Sequence, residues 1–152
     1  MTNSHKLALA ALLLPAAGLV IAAAPHPAYK ARHQNFETMG KAMKATFDEF
    51  KRPAPNLAVF KSSADILAAS AVKVKGQFPK GTGPAPGIKT EALPAIWDRP
   101  ADFAAAADRL VGATKGYQAA VVTGDLAGIQ KAAGAVGGAC KNCHDSFRKP
   151  KA

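Results

Sequence analysis

Cys140-Lys141-Asn142-Cys143-His144 holds the chain's two cysteines and, directly after the second, an imidazole. On a helix, residues three and four apart share one face, so both thiols and the imidazole can address one flat ligand. Each thiol can add its S–H across a vinyl group, and the imidazole can reach a central iron, which is the chemistry of covalent haem attachment. Three other fates compete for the same residues. A thioredoxin-like redox pair belongs in a βαβ context, and the chain shows no strand pattern. A structural zinc site takes four ligands, whereas His5, His26 and His33 all lie more than a hundred residues away. A disulfide is open to an exported protein but gives the histidine no part. The expected cofactor is one haem c per chain, held through Cys140 and Cys143, with His144 as the metal ligand.

Such a site needs helices to carry it, and the apolar spacing supplies four. From about Tyr29 to Phe50, the residues Phe36, Met39, Met43, Phe47 and Phe50 recur at steps of three and four, the signature of a bundle seam. Arg52-Pro53-Ala54-Pro55-Asn56 ends that helix, and Asn56 can cap the next. A second seam runs Leu57, Phe60, Ala64, Leu67, Ala71, Val74 and Phe78. Between Gly76 and Pro94 the density of Pro and Gly excludes a regular element, and a connection of this length is expected to wrap around a ligand. Asp98, with Pro100 just inside, starts the third helix, whose seam is Phe103, Ala107, Leu110, Thr114, Tyr117 and Val121. Gly124 stops it and Asp125 caps the fourth, whose seam of Leu126, Ile129, Ala133, Val136, Cys140, Cys143 and Phe147 puts the cysteines at core positions. The expected fold is all-α, an antiparallel four-helix bundle with covalently bound haem. Gly134, Gly137 and Gly138 cost about 1 kcal/mol each relative to Ala inside this fourth helix; a porphyrin face against the backbone, or close helix contacts, would account for them.

Residues 1–24 read as a secretory signal: Lys6, an apolar run from Leu7 to Ile21, then Ala22-Ala23-Ala24. The run of about fifteen residues is short of the roughly 20 that span a bilayer core, so no membrane span is expected. Residues 25–152 then form one domain, and the expected location is the periplasm, where two thiols need a fate. The formal net charge of +10 favours acidic partners or an anionic surface. Nucleic acid is not expected, because the lysines are scattered and no aromatic residues interleave with them. The chain has neither a general-base constellation nor a phosphate loop, so no enzyme is expected.

The ending Cys140-Lys141-Asn142-Cys143-His144-Asp145-Ser146-Phe147-Arg148 resembles the Cys-Lys-x-Cys-His-Asp-x-aromatic-Arg ending of the class II c-type cytochromes, and within them the cytochromes c′. Arg32, Phe36 and Met43 are similar to that family's distal strip. Thr90-Glu91, Ala95-Ile96-Trp97 and Phe103 are similar to the start of its third helix. The resemblance covers nearly all of the chain after the signal, and it disfavours class I cytochromes, which attach haem near the N-terminus. It implies that Phe36 lies above the iron and that Thr90 and Glu91 border the haem edge. Arg32 would approach a propionate, with plain solvation as its alternative. Arg148, one turn beyond His144, would flank the proximal iron face, with a surface cation at the helix C-terminus as its alternative. His33 stands where glutamine is frequent in the family. Glu37 and Lys41 read as solvent-face charges, and His26 as a tail residue. Homodimerisation through the first two helices is also implied.

These expectations converge on a five-coordinate, high-spin haem that binds nitric oxide and carbon monoxide and passes single electrons to an unknown redox partner. The competing reading is a low-spin electron carrier with a methionine as sixth ligand. Met39 lies about 4.5 Å along the helix axis from Phe36 and Met43 about 10 Å, so Met39 is the nearer candidate.

Overall fold

The structure, a computed structural model, describes residues 26–86 and 88–150; the expected signal lies outside the described residues. Four long helices, α1 (Ala28–Glu49), α2 (Leu57–Ala71), α4 (Pro100–Thr123) and α5 (Leu126–Phe147), form an antiparallel bundle, with a one-turn helix α3 (Ala95–Asp98) before α4. Helix α4 packs along α2 and α5, and α1 packs along α2, whereas α1 and α5 scarcely touch. That parting of α1 from α5 opens the bundle on one side.

The helix ends follow local chemistry. The Asn56 side chain accepts a hydrogen bond from the Ala58 amide at 2.9 Å, and the Asp125 carboxylate accepts from the Ala127 and Gly128 amides at 3.1 and 3.0 Å, satisfying donors that α2 and α5 leave free in their first turns. Gly124 adopts φ 71° as the C-cap of α4, a left-handed conformation that costs glycine nothing. One start signal is corrected. Asp98 closes α3, and the N-cap of α4 is Arg99, which makes no side-chain cap bond; Pro100 does sit in the first turn. His26 is also more than a tail residue, because its Nδ1 accepts from the Ala28 amide at 3.1 Å.

The core of α2, α4 and α5 falls on the expected seams: Phe60, Leu67, Val74, Phe103, Leu110, Tyr117, Ile129 and Val136 are all buried. Leu57 and Leu126, at the ends of two seams, are exposed. Val74 and Phe78 lie beyond α2, which stops at Ala71, Val74 leading into a short 3₁₀ turn and Phe78 following it. Helix α1 departs from its seam. Its buried stripe is Arg32, Asn35, Met39, Ala42, Thr46 and Glu49, which has the three-four spacing but sits mostly one residue before the apolar seam. One residue is about 100° of helix rotation. The face of α1 turned to its neighbours is therefore largely polar, while Phe36, Met39, Met43 and Phe47 line the open side.

The polar face is satisfied in detail. Asn35 Nδ2 donates to Ser70 O at 3.1 Å and Gln77 Oε1 at 3.0 Å. The buried hydroxyls of Thr46 and Tyr117 share a hydrogen bond of 3.0 Å, and Glu49 Oε1 accepts from the Asn56 amide at 2.7 Å. No buried side-chain nitrogen or oxygen lacks a partner among the described residues.

Candidate haem site

The opening between α1 and α5 is a cavity of about 960 Å³, at the upper end of the range for cofactor sites. Helix α5 brings Cys140, Cys143 and His144 to one wall, with Gly137 one turn earlier. Helix α1 supplies another wall through Phe36, Met39, Gly40 and Met43, and α4 supplies Phe103, Ala106, Ala107 and Leu110. An aromatic cluster closes one end. Phe78 meets Phe103 at 4.9 Å between ring centroids, Phe103 meets Phe147 at 5.4 Å, and Phe36 meets Phe78 edge-on at 6.2 Å.

Cys140 and Cys143 are half-buried and not bonded to each other, so the disulfide alternative fails in this geometry. No group of three potential metal-binding side chains exists among the described residues. Burial pushes both thiols above the usual range; for Cys143 the neighbouring Cys140 adds to the rise and Arg109 opposes it. Both therefore stay protonated at neutral pH.

The polar end of the cavity is built on Arg32, only 5% exposed. Its Nη1 donates to Thr82 O at 3.0 Å and its Nη2 to Thr90 Oγ1 at 2.8 Å. The guanidinium lies over the rings of Tyr29, at 4.5 Å, and Phe78, at 5.0 Å. Every one of these partners is neutral. Burial lowers its pKa, yet an arginine stays charged in a protein. The solvated-arginine alternative is thus corrected: Arg32 is a buried cation on a cavity wall with no carboxylate among the described residues to neutralise it, and such a group suits an anionic ligand.

Thr90 and Glu91 reach the cavity in the connection before α3, as expected of a segment wrapped around a ligand. Trp97 anchors that segment by donating its ring N–H to Phe78 O and Pro79 O at 3.2 and 3.1 Å. Its ring lies so close to Gly83 that an added methyl group would sit 3.3 Å from it.

Arg148 also lines the cavity. It is the C-cap of α5, one turn beyond His144 as expected, with its N–H donating to His144 O at 3.1 Å, and is itself extended, with φ −124° and ψ 142°. It forms an antiparallel bridge with Ala92. Leu93 N donates to Phe147 O at 2.9 Å and Lys149 N to Glu91 O at 2.7 Å. The Arg148 guanidinium binds the Glu91 carboxylate through Nε at 2.6 Å and through Nη2. The surface-cation alternative gives way to a cation paired at the cavity rim.

Residues 27–148 match the family model described as Cytochrome C′. The chain belongs to the cytochrome c′ family. The cytochrome c′ of Pararhodospirillum photometricum is 35% identical over 128 residues, 84% of this chain and all of the relative. Two solved cytochrome c′ structures share the fold. One, described for an unusual ligand-controlled dimer dissociation, has a TM-score of 0.77 at 26% identity and covers 85% of this chain and 99% of its own. The other, a nitric oxide complex of a variant from Alcaligenes xylosoxidans, has a TM-score of 0.71 at 26% identity and covers 83% and 97%.

Cytochromes c′ carry haem c, and the residues present fit it: two thiols one helical turn apart, an adjacent imidazole, an apolar cavity of sufficient volume and a buried cation lacking an anion. Among the three glycines of α5, only Gly137 lines the cavity. A methyl group added at Gly134, Gly137 or Gly138 meets no protein atom within 4 Å, so close helix contacts do not account for these glycines. Sequence reasoning missed Thr82, the Glu91–Arg148 pair and Tyr29, whose hydroxyl donates to Gly83 O at 3.0 Å. Each depends on a partner more than 45 residues away, and no local pattern signals it.

Proposed function

We propose that this cytochrome c′ is a periplasmic haem protein whose iron is five-coordinate and high-spin, binds nitric oxide and carbon monoxide, and passes single electrons. When bound, the haem supplies an iron that accepts a diatomic gas or one electron. Cys140 and Cys143 would hold it covalently, His144 would ligate its iron, and Arg32 with Thr90 would receive a propionate. Arg148, tied to Glu91, stands beside His144 on the cavity rim. The leader 1–24 is removed on export, and 25–152 is the working domain.

The observation that carries the gas-binding reading is Phe36 on the cavity wall supplied by α1. Its ring has no lone pair to donate, so it fills space without completing the iron's coordination. Among the residues lining the cavity with it, Met39, Met43 and Phe78 present no hydrogen-bond donor, and the donors Arg32 and His33 lie a turn earlier on α1; bound dioxygen gains least from apolar surroundings. The nitric oxide complex of the relative is consistent with this reading. Met39 and Met43 line the same cavity, which keeps a methionine-ligated electron carrier as the second reading.

Absorption spectra of the ferric and ferrous protein, with and without carbon monoxide, separate the two. Phe36→Ala should speed gas binding and Phe36→Met should shift the iron towards low spin. A wild-type protein already low-spin in both oxidation states, which loses that state on Met39→Leu or Met43→Leu, would establish the electron carrier instead. The groove between α1 and α2, lined by Ala42, Ala45, Ala58, Val59 and Ile66, supports homodimerisation on that face, measurable by sedimentation with and without carbon monoxide.

A further inference from the structure

Helices α1 and α5 carry two walls of the cavity and scarcely touch, yet a pair of adjacent residues bonds to both. Thr90 Oγ1 accepts from Arg32 Nη2 of α1 at 2.8 Å. The Glu91 carboxylate accepts from Arg148 at the end of α5, through Nε at 2.6 Å and through Nη2. The backbone around Glu91 is fastened to the same end of α5: Lys149 N donates to Glu91 O at 2.7 Å and Leu93 N to Phe147 O at 2.9 Å, beside the bridge of Ala92 with Arg148. Thr90 Oγ1 also accepts from the Ala92 amide at 3.2 Å, which stiffens the segment between the two attachments. Arg32 stands four residues before Phe36, and Arg148 four residues after His144. Each attachment therefore lies about one turn from the side chain that its wall offers to the iron.

We propose that Thr90 and Glu91 form a strut that runs around the polar end of the cavity and fixes the gap between its α1 and α5 walls, with Glu91 as a positioning residue that acts on Phe36 through Thr90 and Arg32. A second route between the walls is the ring series Phe36, Phe78, Phe103 and Phe147. Its contacts are dispersive and individually weak, so the rings can slide on one another. The bonds of the strut weaken steeply with distance and angle, and at each end the donor is a charged guanidinium, which makes them stronger than bonds between neutral groups. Water competes little at the Arg32 end, which is buried. The Glu91 end is exposed, and there the backbone bonds reinforce the ion pair. The gap sets how close Phe36 stands to the side of the iron that a gas would occupy, so the strut restricts gas entry; this part rests on the gas-binding reading above.

The test cuts the strut at its α5 end, away from α1. Glu91→Gln removes the charge that binds Arg148, and Lys149→Pro removes the amide that bonds Glu91 O; Arg148 is already extended, as a residue before proline prefers. In the holoprotein of this double variant, hydrogen exchange followed by mass spectrometry should be about fivefold faster over residues 32–39 of α1 and unchanged in α2 and α4. Carbon monoxide should bind the ferrous form about fivefold faster as well. Lys75→Gln with Asp108→Asn breaks an exposed ion pair elsewhere and should change neither. Thr90→Val cuts the other end, and should speed exchange over residues 145–150 although the hydroxyl it removes bonds to Arg32 and the Ala92 amide. Faster exchange confined to residues 145–150 in the first variant would reduce Glu91 to a tether for the C-terminal segment and overturn the strut. So would faster exchange spread equally over α1, α2 and α4, the sign of general loosening. A loosened α1 with an unaltered carbon monoxide rate would overturn the control of gas entry. A wild-type ferrous protein that binds no carbon monoxide would overturn the gas-binding reading instead, and the exchange result would still decide the strut.

Discussion

Without covalent haem, this bundle should not keep its native packing, and the double variant Cys140→Ser/Cys143→Ser tests that. The cavity between α1 and α5 measures about 960 Å³. A dry cavity costs about 24 cal/mol per Å³, so one of this size would cost about 23 kcal/mol, more than the roughly 5–15 kcal/mol that holds a native domain together. Water can bond the polar end around Arg32, Thr90 and Glu91 and lowers that cost, but the walls of Phe36, Met39, Met43, Ile96 and Leu110 offer it few hydrogen bonds. A third of the full figure, about 8 kcal/mol, would still offset most of the stability. Helix α1 should loosen first, because it leans on α2 and scarcely touches α5. The haem-free variant should keep its far-ultraviolet helical signal, lose its near-ultraviolet signal and bind a hydrophobic dye. Amide exchange should accelerate in α1 ahead of α4 and α5. A haem-free chain with a native near-ultraviolet spectrum and a sharp, cooperative thermal transition would refute the reasoning.

Arg32→Leu should lower the reduction potential, because removing a buried cation beside the site favours the more positive ferric state; spectroelectrochemical titration reads the shift. Burial, only partly opposed by the bond to Thr46, holds the Tyr117 phenol above its ordinary value of 10.0. Its share of stability is therefore complete below pH 10 and is lost as pH rises through the folded value, since the unfolded chain ionises first. Tyr117→Phe should flatten that alkaline limb in denaturant titrations at a neutral-pH cost of about 1 kcal/mol. Asp125→Ala removes the cap of α5 and should cost about 1 kcal/mol, read as a lower denaturation midpoint with an unchanged slope.

The parts of the molecule legible in the sequence are those governed by local rules. Asn56, Gly124 and Asp125 act within a few residues of themselves, and their types name their conformations. The seams of α2, α4 and α5 could be read because those helices pack on one another, so apolar spacing and burial coincide. On α1 the two separate. Periodicity marks Phe36, Met43 and Phe47 as an inner face; Phe36 and Met43 do face an interior, the cavity and not a neighbouring helix, while Phe47 lies exposed at its edge. The stripe that meets the other helices holds Asn35, Thr46 and Glu49, whose types signal solvent, and only the partners Ser70, Tyr117 and the Asn56 amide explain their burial. Arg148 shows the same limit in another form. Counting turns from His144 places the Arg148 backbone, whose N–H donates to His144 O, but the bridge to Ala92 and the pairing with Glu91 that hold it at the rim come from a distant part of the chain.

The polar face of α1 also bears on how the site keeps its shape. Apolar side chains packed in a groove tolerate a small slide or rotation, since dispersion contacts are non-directional and individually weak. Hydrogen bonds do not, for they lose strength steeply with distance and angle. Along α1, Tyr29 is tied to Gly83, Arg32 to Thr82 and Thr90, Asn35 to Ser70 and Gln77, Thr46 to Tyr117, and Glu49 to the Asn56 amide. These bonds run from the first turn of the helix to its last residue. Helix α1 has almost no contact with α5 across the cavity, so nothing on that side sets its register. The directional bonds on its other face do so instead, and they thereby set the height of Phe36 in the cavity. An apolar stripe in their place would bury more oil-like surface but leave the wall facing the iron free to shift by fractions of a turn, and ligand choice at such a site depends on the placement of one ring.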